Sequence, residues 1–315
     1  MAVYDVFTFY DEFELLLVRL REHASFVDHF ILIQGDSNFT GKPKPFHFPN
    51  SDARFAPYLS KIQVKNIQLD QNPASPWENE LKQRNESLNI PGLEPSDVIY
   101  LSDVDEIISR NYWPYLLSRI KTEELLRVWT EPFYYRINLQ LPKVKWVHPK
   151  ILRAEYILEK KLTANEVRHD STAPTTPFPC GWHFSFLMTE KKIEEKIHAF
   201  SHQECNLPQF NNPVAIREAI RRRRFLFEPS LKFRSVPVKS SWPLQMLEGD
   251  YWKDFICPLQ QESLTPREHL ENFRVDLSFW LKKTNREARA FVAKAVKLSI
   301  KLLTNFMYPK SLHDS

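Results

Sequence analysis

The stretch Asp97-Val98-Ile99-Tyr100-Leu101-Ser102-Asp103-Val104-Asp105-Glu106-Ile107 decides the fold. Val98 to Leu101 is an apolar run of strand length, and three carboxylates follow within four residues before the chain turns apolar again. The acidic cluster therefore falls at the end of a short buried strand. In open α/β sheets, ligands bind at the carboxyl ends of strands. An Asp-x-Asp pair at such a point lets two carboxylates converge on one divalent ion, which in turn grips the oxygens of a nucleotide diphosphate. Alone the tripeptide is weak, because Asp-rich turns are also common in solvated loops. The apolar flanks favour the metal-binding reading.

Upstream, Val3 to Phe9 reads as a strand, and Glu12 to Glu22 sets Phe13, Leu16, Leu17 and Leu20 on one helix face. Phe26 to Ile33 and Ile62 to Ile67 are further strand-like runs, separated by the loop Gly41-Lys42-Pro43-Lys44-Pro45. Trp77 to Leu88 reads as a helix. This alternation predicts an α/β protein with a mostly parallel sheet. Downstream, 128–137 and 143–147 read as strands, 113–120, 191–200 and 215–224 as helices, and 174–179 and 229–243 as irregular. The expected organisation is one domain over 1–260 and a helical extension over 261–315. In the extension, about Arg286 to Met307 pairs an apolar stripe with Lys294, Lys297 and Lys301. Such a helix either packs on the domain with its lysines in water or docks on an anionic membrane surface.

The composition fits a chain that folds: 43% hydrophobic and 26% charged residues, over a length that buries a sizeable core. A net charge of +4 gives a nucleic-acid partner no support. Cys180, Cys205 and Cys257 form no CxxC pair and cannot all pair within the chain, which fits a reducing compartment. The first residues lack the pattern of a signal peptide, and no apolar run reaches membrane-spanning length. The expectation is a cytoplasmic protein with membrane association through the basic helix.

Other residues could carry chemistry. Gly181-Trp182-His183-Phe184-Ser185 sets an indole and an imidazole beside a glycine after a proline-rich loop, offering a ring for sugar stacking and a metal or phosphate ligand. A histidine in an aromatic run is more often a hydrogen-bonded core residue. His202 and Glu204 follow the helix that begins near Lys191, and Glu204 is a candidate general base. Glu80 and Arg84 are spaced as a helical ion pair, and Arg84 could equally reach a diphosphate. Arg221 to Arg224 reads as a structural or solvated charge run.

These segments taken together resemble glycosyltransferase family 17. The resemblance rests on Tyr4 to Leu20, Thr40 to Pro45, Trp77 with Glu80 and Arg84, Ser102 to Ile107, Trp129-Thr130-Glu131-Pro132-Phe133, Gly181 to Ser185, and Ser201-His202-Gln203-Glu204. It runs in order over roughly residues 3 to 210. It implies a GT-A-like, Rossmann-type fold, Mn²⁺ or Mg²⁺, and a UDP-sugar donor such as UDP-N-acetylglucosamine. The transfer it implies goes with inversion to a glycan hydroxyl. The glycoprotein acceptor of the membrane-anchored animal members is not carried over to this chain, and a polysaccharide or lipid-linked glycan is the expected acceptor. The metal ligands expected are Asp103, Asp105, His183 and His202. Donor contacts are expected from Asp103, Arg84, Trp182, Phe9 and Glu12, and the base is expected to be Glu204 or Glu131. The chain departs from the family's pattern at Gln34-Gly35, where Glu-Ser is usual, and at Leu17, where an acidic residue is common. Two rival functions use the same features: a metal-dependent nucleotidyltransferase and a non-catalytic glycan- or nucleotide-sugar-binding protein.

Overall fold

The computed structural model describes residues 1–48, 52–260 and 263–283. Four parallel strands form the centre of the first sheet: β1 (Val3–Thr8), β2 (His29–Gly35), β3 (Ile62–Ile67) and β4 (Val98–Asp103), in the order β3-β2-β1-β4. The sheet continues past β4 with two antiparallel strands, β9 (Lys150–Arg153) and β6 (Leu125–Arg127). A second, mixed sheet contains β5 (Glu106–Ile108), β7 (Thr130–Tyr134), β8 (Leu139–Gln140), β10 (Gly181–Ser185) and β11 (Arg234–Ser235), in the order β11-β8-β7-β10-β5. The expected α/β class is found. Parallel pairing dominates the first sheet, whereas in the second only β7 and β10 run parallel.

Strand periodicity places alternate residues of β1 on two apolar layers. Val3 and Phe7 join Leu16, Leu17 and Leu20 of α1 (Phe13–His23) and Trp113 and Leu116 of α3 (Trp113–Arg119). Tyr4 and Val6 face Ala154 and Ile157 of α4 (Ala154–Lys160), and Ala164 and Val167 of α5 (Ala164–His169). Helix α2 (Pro76–Asn85) starts on the side-chain cap of Ser75 with Pro76 in its first turn, both favourable at a helix start. Helix α6 (Glu190–Ala199) and helix α7 (Pro213–Arg221) cover the second sheet through Ile193, Ile197, Ile216 and Ile220. The short α8 (Leu244–Glu248) brings Met246 against Leu15 and Val18 of α1.

Two strand expectations need correction. Residues 143–147 do not form a strand; Trp146 makes an isolated bridge with Thr130, and the real strand begins at Lys150. The expected run 128–137 ends as a strand at Tyr134, because Tyr135 turns into the left-handed region with φ of 63°. The chain divides into two compact units, 1–227 with 231–261, and 228–230 with 262–315. The described part of the second includes α9 (Pro266–Lys283). The basic helix expected from about Arg286 lies outside the described residues. Among the described residues, no helix is long and apolar enough to cross a membrane. All three cysteines are free thiols.

Candidate active site

The order β3-β2-β1-β4 means the chain winds one way from β1 and then returns to its other side. The crevice at that reversal opens between the carboxyl ends of β1 and β4. Thr8 ends β1 and Asp103 ends β4; they pair in register, and the Thr8 hydroxyl donates to Asp103 Oδ1 at 3.3 Å. Topology therefore puts the Asp103–Glu106 turn where an α/β sheet offers its binding site.

Buried arginines hold that turn. Arg19, on the inner face of α1, donates through Nη1 to the carbonyls of Asp103 at 2.8 Å and Glu106 at 2.9 Å, and through Nη2 to the Ser102 hydroxyl at 2.6 Å. Its Nε and Nη2 also donate to the fully buried Asp5 carboxylate at 2.9 and 2.5 Å. Glu106 folds back to accept the Asp103 amide at 2.7 Å and the Trp146 indole N–H at 2.6 Å. Removing one partner from such a buried pair typically costs about 3–5 kcal/mol, because a desolvated charge is left behind.

The three carboxylates then diverge. Arg84 Nη1 donates to Asp103 Oδ1 at 3.1 Å, and Arg168 Nη2 donates to Oδ2 at 2.6 Å. Arg168 also reaches both oxygens of Glu106, each at 2.9 Å. Burial would raise the Asp103 and Glu106 carboxyls, but the guanidiniums more than offset it and hold both below the usual range. Among the described residues no guanidinium is hydrogen-bonded to Asp105, although Arg168 lies near enough to feel its charge. Burial, reinforced by Asp103 and Glu106 and only partly countered by Lys196, pushes its carboxyl up to about 8. Its nearest cationic candidate is His183, whose Nε2 lies 3.7 Å from Oδ2. That ring stacks on Trp146 at 4.1 Å between centroids, and burial pushes it down to about 4, so the imidazole is neutral. Its Nδ1 is buried with no hydrogen-bond partner.

A divalent cation with diphosphate oxygens needs only one or two protein carboxylates. A buried carboxyl group to which, among the described residues, no arginine or lysine is hydrogen-bonded, beside an imidazole with an orphaned nitrogen, fits that need. The four ligands expected from sequence do not gather, however: among the described residues no group of three or more His, Cys, Asp or Glu side chains is placed to hold a metal. Asp103 is occupied by two arginines, and His202 pairs through Nδ1 with Glu204 Oε1 at 2.6 Å.

Other expected residues also find different places. Trp182 is 5% exposed, packed in the core with Leu15, Val18 and Phe184, and offers no free ring to a sugar. Phe9, 2% exposed, packs against Phe13 in the same way. Glu131 sits in register with Trp182 and accepts a bond from Gln140 at 2.8 Å. Strand alternation puts it on the face opposite His183, away from the turn. Glu12 accepts the amides of Tyr10 and Asp11, and its other oxygen lies 3.2 Å from Lys196 Nζ, so it orders the loop after β1. Arg84 is inside the site, but its fork is filled by Asp103 and Glu80. Of Arg221 to Arg224, Arg223 donates to the Pro258 and Leu259 carbonyls, a structural role.

Sequence reading missed Arg168, Arg19 and Trp146. Arg168 had one usable signal: Thr163 and Glu166 form a capping box that marks the start of α5 and puts Arg168 in its last turn.

The sequence profile of glycosyltransferase family 17 matches residues 1–229. The chain is similar to the β-1,4-mannosyl-glycoprotein 4-β-N-acetylglucosaminyltransferases of Mus musculus, 29% identical over 152 residues, and Homo sapiens, 28% identical over 152 residues. Each alignment covers 45% of this chain and 27% of the relative, so the match spans about a quarter of those proteins' length. Among solved structures it is similar to S. aureus TarS 1-349, with 14% identity and a TM-score of 0.39, covering 91% of this chain and 93% of that one.

Proposed function

Because this chain belongs to glycosyltransferase family 17, we propose that it moves N-acetylglucosamine from UDP-N-acetylglucosamine to a glycan hydroxyl with inversion, assisted by Mn²⁺ or Mg²⁺. The observation that carries the reading is the split state of the Asp103–Glu106 turn. Two of its carboxylates are neutralised by arginines, and Asp105 is left at the mouth of the β1–β4 crevice. The transferred sugar follows the matched relatives, whose name specifies an N-acetylglucosaminyltransferase, and the acceptor proposed is a polysaccharide or lipid-linked glycan.

Asp105 with His183 would hold the cation, which would offset the negative charge that develops on the departing diphosphate. Asp103, Arg84, Arg168 and Glu106 keep Asp105 in place through the rigid turn, so the site is organised before the donor arrives. In an inverting transfer the acceptor oxygen attacks the anomeric carbon opposite the departing group, and its proton passes to a base. Glu204 is the proposed base. The hydrogen bond from His202 lowers its carboxyl, so it is ionised at neutral pH and able to accept a proton. Ser201, three residues earlier, donates to Glu80, which also binds Arg84 and so links this segment to Asp103.

The test is a panel of UDP- and GDP-sugars offered to the purified protein with Mn²⁺ or EDTA, followed by thermal shift and nucleotide release. Selective stabilisation and slow hydrolysis of UDP-N-acetylglucosamine, lost in EDTA, is expected. Turnover indifferent to EDTA would remove the cation from the mechanism. Silence with every donor would sink the transfer reading in favour of a glycan-binding protein.

A further inference from the structure

Helix α2 presents Trp77, Glu80 and Arg84 at i, i+3 and i+7, along one stripe. The two ends of the stripe meet different surroundings. Arg84 reaches Asp103, while Trp77, about 10 Å away along the helix axis, is an open indole with 44% exposure. His202 meets Trp77 edge to face, with centroids 4.6 Å apart and planes at 83°. The His202 and Glu204 side chains are paired, and both are more than half exposed. This cluster is tied to the site, because the Ser201 hydroxyl donates to Glu80, whose other oxygen accepts from Arg84 at 2.7 Å.

A lone exposed aromatic ring is ordinary on a protein surface. Here three further features accompany it: an imidazole fixes the ring's edge, a carboxylate stands beside that imidazole, and a hydrogen-bonded path leads to the Asp103 turn. We propose that Trp77, His202 and Glu204 form a subsite for one pyranose ring of the acceptor glycan. A pyranose has an apolar C–H face that lies on an aromatic ring and hydroxyls that both donate and accept, so they can pair with a carboxylate and an imidazole together. Such a site also brings a sugar hydroxyl to the proposed base. The inference rests on the glycosyltransfer reading and extends it to acceptor recognition.

The experiment compares the full chain with Trp77→Ala and Trp77→Tyr, after melting curves establish that all three fold. Mannotriose and N,N′-diacetylchitobiose serve as probe glycans in saturation-transfer NMR titrations, which need no donor. Transfer to the same glycans and hydrolysis of UDP-N-acetylglucosamine are measured in parallel. The expected result is at least tenfold weaker glycan binding by Trp77→Ala, a tenfold fall in the ratio of transfer to hydrolysis, and substantial recovery in Trp77→Tyr. A loss of UDP affinity matching the loss of transfer would assign the indole to the donor's base and overturn the proposal. Equal glycan binding by all three proteins, or none by the unmodified chain, would overturn it too. Absence of donor turnover by the unmodified chain would count against the transfer reading instead, and the NMR titration would still decide the subsite.

Discussion

Asp103 and Asp105, two residues apart, reach opposite electrostatic states. The guanidiniums of Arg84 and Arg168 meet Asp103 and Glu106, and the carboxylate left over is Asp105. A buried acid raised to about 8 costs stability at neutral pH, because the unfolded chain would ionise it freely. Asp105→Asn, which keeps the shape and removes the charge, should therefore stabilise the cation-free protein by on the order of 2 kcal/mol. That corresponds to a melting temperature several degrees higher. Metal-dependent donor turnover should fall to background in the same variant. A lower melting temperature would show that Asp105 is already compensated in the fold. The sequence identified the aspartate pair but not this asymmetry, because Arg168 lies 65 positions after Asp103 and nothing local links them. Residue type was equally silent about facing: Phe9 and Trp182 are both expected to contact the donor, yet both are packed in the core.

At the scale of elements, the turn depends on how β5 pairs with β10. Gly181 stands opposite Ile108, and a Cβ placed on it would lie 2.0 Å from the Ile107 carbonyl oxygen and 2.8 Å from Ile108 Cα. Both are backbone atoms and cannot swing aside. Gly181→Ala should therefore force β10 away from β5, destabilising the protein by more than about 2 kcal/mol and disturbing Glu106, which begins β5. Urea unfolding would measure the first effect and donor hydrolysis the second; a midpoint unchanged from the parent would contradict this account. The long elements were legible from their periodicity, α1 and β1 to β4 above all. The short ones were not: β5 spans three residues and β9 four, too few for any repeat, and the five residues of β10 gave no strand signal of their own. Their existence follows from pairing with distant strands, which no local pattern contains.

Across the whole molecule, one buried polar network joins β1, α1 and β5. Asp5 accepts from Arg19, His23 Nδ1 lies 2.7 Å from Asp5, and the Ile108 amide donates to His23 Nε2 at 3.0 Å. His23 Nε2 also lies 3.1 Å from the Ile108 carbonyl oxygen, so Ile108 offers this nitrogen a donor and an acceptor together. Burial lowers its pKa despite Asp5. Burial likewise lowers His47, His148 and His183, the last to about 4, so the fold resists protonating four imidazoles that the unfolded chain protonates below about pH 6.5. Asp105 acts in the opposite sense, because between about pH 8 and 4 the folded protein holds a proton there that the unfolded chain lacks. Four histidines against one aspartate leave a net proton uptake on unfolding. Stability should then fall as the pH drops from about 6 to about 4.5. In Asp105→Asn the slope should be steeper. Urea midpoints across that range check both statements, and a flat profile in the parent would contradict them.

By itself the sequence determined the α/β class, the strand that ends in the acidic cluster, and the resemblance to glycosyltransferase family 17 across most of the first 210 residues. All of these are written in local periodicity and in short motifs kept in order. The tertiary structure alone decided which carboxylate is free, which aromatic rings are exposed, and which face of its strand Glu131 occupies. Those outcomes depend on burial and on partners dozens of residues away, such as Arg19, Trp146 and Arg168. Chain separation carries no trace of them until the sheets close.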